Sequence, residues 1–133
     1  GNFTERWQII GSYAWLDART VRTVGTTPAG RVLAQTPETS IGLWNRYDFN
    51  DRWGVALGAT YRSESYATIS NAVTLKSYAR YDAAMYYKFD DRFSAQLNVE
   101  NLFDKAYYPS AHTDNNITPG APRSAHVTLN FKF

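Results

Sequence analysis

Apolar and polar residues alternate with a period of two along most of this chain, the spacing of an extended strand whose successive side chains point to opposite faces. In FSAQLNVE, Phe93, Ala95, Leu97 and Val99 share one face, opposed by Ser94, Gln96, Asn98 and Glu100. SAHVTLNFKF repeats this, with Ala125, Val127, Leu129, Phe131 and Phe133 opposed to Ser124, His126, Thr128, Asn130 and Lys132. Four further segments alternate less strictly: Trp53 to Tyr61, Tyr81 to Phe89, Ile41 to Phe49 (broken by Asn45) and Trp7 to Trp15 (broken by Gly11). Six strands are therefore expected. Ile10, Trp44 and Tyr86 make the second face mixed, but the charges are decisive. Arg46, Asp48, Arg62, Arg80, Asp82, Lys88, Glu100 and Lys132 all fall on that face, and none interrupts the first.

The connections alternate too. YDFNDRW and YKFDDRF place tight polar turns at Asn50 to Arg52 and Asp90 to Arg92. Arg19 to Pro37, Ser63 to Ser77 and Asp104 to Pro122 are long and rich in Gly, Pro, Ser, Thr and Asn. The two similar heptads read as successive hairpin turns of one antiparallel meander, offset by two strands and a long loop. A propeller blade would carry four strands in such a period, and here there are two.

Two settings suit a charge-free face: the core of a soluble sandwich or barrel, or the outside of a membrane barrel. Strands of about ten residues match the roughly 9–11 that cross a bilayer at a tilt and exceed the ~5–6 usual in globular sheets. Long and short links segregate as in transmembrane barrels. Aromatics are 16% of the 133 residues, and they gather at strand ends. Tyr47, Phe49, Trp53, Tyr87, Phe89, Phe93, Phe131 and Phe133 lie by the short turns; Tyr13, Trp15, Tyr61, Tyr81 and Phe103 lie toward the long loops. Ten residues at about 3.3 Å, tilted by about 40°, separate the two belts by roughly 25 Å along the membrane normal. The sequence thus points to a transmembrane meander whose first face meets lipid and whose second lines a wet interior. The negative mean hydropathy is no objection, since half of each strand and every loop would meet water. Six strands fall short of the roughly eight of the smallest barrels, so residues 1–133 are expected to be the C-terminal portion of a larger barrel.

Other chemistry is sparse. There is no Cys, which removes disulfides, thiolate metal sites and cysteine nucleophiles. A net charge of +2 without a basic, aromatic-interleaved run gives no support for nucleic acid. Ser110 and His112 lie on a loop with no base–orienter spacing, so no enzyme activity is expected. His112 and Asp114 are too few to complete a metal site.

At VENLFDKAYYPS, Val99 to Ser110, followed by Gly120-Ala121-Pro122-Arg123 and a strand ending in Phe133, the chain resembles the end of a TonB-dependent outer-membrane receptor. Thr36 to Phe49 and Tyr78 to Phe93 resemble strands of the same family. The resemblance implies an all-β fold: the last six strands of a plugged barrel of about 22, with the plug domain and the TonB-contact segment lying outside residues 1–133. It implies active import of a ferric siderophore, catecholate by the look of Pro109 to Arg123, with iron arriving already chelated and no cofactor required. Its expected setting is the bacterial outer membrane, among lipid and lipopolysaccharide. Its expected partners are TonB-ExbB-ExbD through the N-terminal part and the barrel-assembly machinery, which would read Phe131 and Phe133 as a signal.

A ferric catecholate would be met by Arg for charge, Tyr for stacking and amides for hydrogen bonds. The candidates are His112, Asn115, Asn116 and Arg123 in the last loop, with Arg31 and Tyr66 in the other two. Arg123 has the alternative of steadying the strand entrance, Tyr107 and Tyr108 that of packing the loop base, and His126 that of facing the lumen. The competing functions are a passive porin or adhesin barrel, an outer-membrane hydrolase and a soluble β-sandwich binding module.

Overall fold

The computed structural model describes residues 1–133. The strands are β1 (Asn2–Thr4), β2 (Trp7–Trp15), β3 (Thr39–Asp48), β4 (Trp53–Arg62), β5 (Ser65–Tyr66), β6 (Thr74–Leu75), β7 (Tyr78–Lys88), β8 (Phe93–Glu100), β9 (Ser110–Thr113), β10 (Asn116–Thr118) and β11 (Ser124–Phe131). One antiparallel sheet runs β1-β2-β3-β4-β7-β8-β11, and β5-β6 and β9-β10 are small hairpins within the long loops. The six expected strands are present. β1 and the two loop hairpins are additions, too short for alternation to register.

Register explains why the two faces stay distinct. Every junction between the long strands pairs residues of like parity, giving the unbroken row Trp7, Tyr47, Val55, Met85, Leu97 and Val127 across the sheet. The neighbouring row on the other face is Gln8, Arg46, Ala56, Ala84, Asn98 and His126. A slip of one residue at any junction would place charge on the apolar face.

The apolar face covers nothing. Leu57 is 59% exposed and Leu129 56%, so the leucines do not meet in a protein interior, which rules out the sandwich reading. Hydrocarbon is the solvent that suits such a surface. The opposite face is packed by small residues under large ones. Trp44 lies against Gly58, where an added Cβ would sit 2.3 Å from the indole, and the Arg46 guanidinium stands 4.2 Å above the Tyr86 ring. Ala56 and Ala84 are buried beside them. Charges on this face pair along their own strands, Arg46 with Asp48 at 3.0 Å and Arg80 with Asp82 at 2.9 Å. The misfits Trp44 and Tyr86 are thus interior packing groups.

Asn45, the polar break in the apolar face, is satisfied there: the Trp7 indole N–H donates to its side-chain carbonyl.

The repeated heptads are two of three equivalent turns. Phe3-Thr4-Glu5-Arg6-Trp7 matches Phe49-Asn50-Asp51-Arg52-Trp53 and Phe89-Asp90-Asp91-Arg92-Phe93. In each, the second side chain accepts from the Arg backbone N–H: Thr4 from Arg6 at 3.3 Å, Asn50 from Arg52 at 2.9 Å and Asp90 from Arg92 at 2.7 Å. Each Arg carbonyl in turn accepts from the next strand, from Asp48 and Lys88 at 2.8 Å and from Lys132 at 2.9 Å. The turn residues are selected because they close a hairpin and stitch it to its neighbour. Flanking rings form a belt. Trp53 meets Tyr87 at 4.3 Å, Tyr87 meets Phe89 at 4.6 Å, and Phe89, Phe93 and Phe131 stack successively at 4.4 Å.

Candidate functional site

At the end of the sheet opposite the turns, the three long loops interlock. Ala67, Leu75 and Ala111 form a small buried cluster, with Val73 and Ile117 packed against it. Loop polar groups are matched across long sequence separations. The Asn71 side chain accepts from Val32 N–H and donates to Val32 C=O, both at 2.9 Å. Gln35 N–H donates to Tyr66 C=O at 2.8 Å, and its side-chain amide donates to Ala111 C=O at 2.7 Å. The Asp114 carboxylate accepts from the Thr68 and Ser70 hydroxyls, each at 2.8 Å. Gln35 and Asn71 hold positive φ, near 54° and 53°, so each turns the backbone tightly while its side chain ties a second loop. At about 0.5–1.5 kcal/mol net per bond, the set is enough to hold the loops as one layer.

The expected ligand residues fall in three places. His112, Asn115 and Asn116 are exposed on the β9–β10 hairpin. Arg31 is half-buried and donates to Ser70 C=O at 2.8 Å, beside the residues that hold Asp114, so it is joined to that hairpin through Ser70. Tyr66 lines a recess of about 190 Å³ with Asp17, Arg19, Glu38 and Glu64. Carboxylates outnumber cations there, so that recess by itself lacks the positive charge an anionic chelate calls for.

Arg123 stands apart from the hairpin, at the foot of the last loop. The NLFDK stretch forms a corner: Asn101, only 2% exposed and with φ near 50°, donates to Lys105 C=O at 3.0 Å and Ala121 C=O at 3.1 Å, and accepts from Lys105 N–H at 2.9 Å. Asp104 accepts from Arg123 N–H at 2.8 Å. Asn101 N–H donates to Asp82 at 2.9 Å, fixing the corner to β7. Gly120 lies against the Tyr107 ring, where a Cβ would sit 2.2 Å from the nearest ring carbon, and the Tyr107 ring packs at a tilt against Tyr78, 4.7 Å between centroids. The motif and the Gly-Ala-Pro-Arg stretch are two halves of one closure, and Tyr107 packs the loop base.

Gln35, Thr68, Ser70 and Asn71, which hold the layer together with Asp114, carry no mark of that role in the sequence, and Asp114 stands out there only as half of an incomplete metal pair. Asn and Asp in a loop carry the same signal whether they only turn the chain or also bind another loop.

A further recess, about 490 Å³, lies at the other end, on the polar face beside the turns. Arg46, Asp48, Asp51, Arg52, Lys88, Arg92 and Lys132 line it. Lys88 donates to Asp91 at 2.6 Å, which holds that carboxyl below its ordinary range.

Comparison with known proteins supplies the context. A family model described as TonB dependent receptor-like, beta-barrel, matches residues 1–102. The probable TonB-dependent receptor BfrD of Bordetella pertussis is 32% identical over 143 residues, spanning all of this chain and 19% of BfrD. The catecholate siderophore receptor Fiu of Escherichia coli K12 is 32% identical over 146 residues, spanning all of this chain and 18% of Fiu. The crystal structure of the siderophore receptor PiuA from Acinetobacter baumannii superposes with a TM-score of 0.86 at 30% identity, covering 100% of this chain and 20% of PiuA. The closed form of Fiu gives 0.86 at 32%, with 100% and 20% coverage. The chain spans about a fifth of the length of these relatives.

Proposed function

From the premise that the chain belongs to the TonB-dependent receptor β-barrel family, whose barrels stand in the outer membrane, we propose that it is the C-terminal part of an active importer of ferric siderophores, catecholate in class. The observation that carries this is the pairing of a lipid-compatible outer face with a layer of interlocked loops, in a chain whose relatives include a named catecholate receptor. The rest of the barrel, a plug and the TonB-contact segment belong to the remaining length. TonB-ExbB-ExbD is the energy source, and the iron is cargo that arrives chelated. The family is one of transport receptors, and the proposal asks no covalent step of the protein.

His112, Asn115 and Asn116, exposed on the β9–β10 hairpin, with Arg31, joined to that hairpin through Ser70, and Tyr66 and Arg123 from their own places in the loops, are the contacts proposed for the chelate. Phe131 stacks on Phe93 and Phe133 is fully exposed, a strand end that the assembly machinery would read.

Uptake of radioactive iron as a ferric catecholate, in cells producing the complete receptor, tests the reading. Uptake is expected to need TonB and to fall when His112, Asn115 and Asn116 are replaced together by Ala. TonB-independent entry would instead favour a passive barrel.

A further inference from the structure

We infer that the outer edge of the long hairpin between β2 and β3, Asp17 to Val21 with an apolar tip at Val21 and Val24, is a docking seat for the extracellular loop that precedes residue 1. That loop thereby joins the interlocked layer. The inference rests on the membrane-barrel reading of the sheet, not on the identity of the imported cargo.

The hairpin has two arms, and only one of them is covered on its outer side. Thr20 N–H donates to Arg31 C=O at 2.8 Å and Leu33 N–H to Ala18 C=O at 2.9 Å. These bonds set Arg19 opposite Val32, with the N–H and C=O of both residues turned away from each other. On the second arm Asn71 meets those groups, accepting from Val32 N–H and donating to Val32 C=O as a paired strand would. On the first arm nothing does. The main-chain groups of Asp17, Arg19 and Val21 make no hydrogen bond within residues 1–133. The Asp17 and Arg19 side chains bond each other at 2.6 Å, so neither caps the edge as Asn71 caps the other. Three alternate residues with free main-chain groups are a template for an added strand. The tip supplies apolar area beside it: Val21 is 93% exposed and Val24 73%, and with Thr20 and Arg22 they line a dent of about 290 Å³.

Register names the occupant. Gly1 and Ile9 bond each other through both main-chain groups, so the odd-numbered residues of β2 face the strand that descends to Gly1. Leu16 bonds to Glu38, and Ala18 and Thr20 bond to the second arm, so this phase runs unbroken from Ile9 to Val21. Arg19 lies ten positions beyond Ile9 (19 − 9), so a strand in the same register meets it ten residues before Gly1, and meets Val21 twelve residues before. The chain spans about a fifth of the length of its relatives, which leaves room for that segment. Inside the bilayer such pairing is compulsory. Above Trp15 water is available, and there the ready edge and the apolar tip are what favour it. A protein from outside would find the same edge, but only the preceding loop is delivered to it in register.

The test is amide exchange of the complete receptor in detergent, read residue by residue. The Arg19 and Val21 amides should exchange about tenfold more slowly than that of Thr26, which is exposed and unbonded at the tip, as one main-chain bond implies. Arg19→Pro deletes the outward N–H and leaves the bonds between the arms, which Ala18 and Thr20 make. It should raise exchange about tenfold in the segment eight to twelve residues before Gly1, whereas Arg19→Ala, which keeps the N–H, should not. Val21→Asp with Val24→Asp should loosen the same segment, and side chains so exposed disturb nothing within residues 1–133. Arg19 and Val21 amides as fast as Thr26 overturn the proposal. So does protection that appears only as receptor concentration rises, which assigns the edge to a second copy, or unchanged upstream exchange in Arg19→Pro. Should Arg19→Pro loosen the arms themselves, seen at Thr20 and Leu33, the Val21 and Val24 pair decides instead, and unchanged upstream exchange in it overturns the proposal. A receptor that shows this protection but imports no ferric catecholate refutes the transport reading alone.

Discussion

Trp7→Phe tests whether the apolar face meets hydrocarbon, through the one polar group embedded in it. The substitution keeps a ring beside Phe3 but removes the N–H that Asn45 accepts. Asn45 pairs with Ile9, two residues inward from the Trp7–Tyr47 row of the turn-side belt. Two residues at ~3.3 Å and a ~40° tilt place it ~5 Å inside the belt, and belts ~25 Å apart leave it ~7 Å from the midplane. An amide carbonyl losing its donor there costs ~1–3 kcal/mol. Asn45→Leu removes the acceptor instead, and the indole N–H, at the level of the belt, can turn to interfacial water, so that change should be near neutral or stabilising. In the Asn45→Leu background, Trp7→Phe should therefore cost under ~0.5 kcal/mol, giving a coupling of ~0.5–3 kcal/mol. The assay is reversible urea unfolding of the complete receptor in phosphocholine bilayers, followed by circular dichroism for all four members of the cycle. An equal cost of Trp7→Phe in both backgrounds refutes the reasoning, because it would mean that Asn45 is already satisfied by water.

The remaining predictions separate the two faces and the loop layer. Leu97→Arg, mid-strand on the outer face, should cost ~2–4 kcal/mol of barrel stability, whereas Asn98→Arg should lose only the 2.7 Å bond from Gln96; comparable losses in urea midpoint would undo the face assignment. Asp114→Ala releases the Thr68 and Ser70 hydroxyls, and amide exchange across residues 64–75 should rise about a hundredfold, as the loss of two charge-assisted bonds at ~1.5 kcal/mol each implies. Gly120→Ala drives a Cβ into the Tyr107 ring and should speed tryptic cleavage at Lys105, with a stability loss of ~1–3 kcal/mol; an unchanged cleavage rate would mean that the ring yields freely.

The sheet was legible because lipid and water impose opposite demands on alternate residues, and each long strand satisfies both many times over. Even the exceptions obeyed physical reasons beyond the reach of one strand. Asn45 is read correctly only once Trp7 is known to stand across from it, and Trp44 only with Gly58 beneath it. The third turn was missed because its preceding strand, Asn2–Thr4, is too short for alternation, and Thr4 stands where the other turns have Asn or Asp. The loops were opaque for another reason. Their order comes from bonds such as Gln35 to Ala111, 76 residues apart, and no local pattern encodes a partner at that distance. The NLFDK motif lies between these cases: visible as a resemblance, but explained only when Asn101 is seen to bind Lys105 and Ala121 together.

The energetics of this sheet differ in kind from those of a globular domain. Its buried apolar side chains are few, four of them alanines beside Leu75 and Tyr107, so no interior drives the strands together. Cohesion must come from the ladders, whose hydrogen bonds are worth most where the surroundings offer no water. The same condition makes unpaired edges costly. On the outer edge of β2 only Trp7, Gln8 and Ile9 are met by residues 1–4, and β11 pairs only with β8, so both ends of the sheet carry free N–H and C=O groups along most of a membrane crossing. At several kcal/mol for each such group in hydrocarbon, the two edges outweigh any gain from placing six strands in lipid by themselves. Residues 1–133 are therefore stable in a bilayer only with further strands on both sides, and the uniform register, three matched turns and continuous aromatic belt present each edge in phase for that pairing.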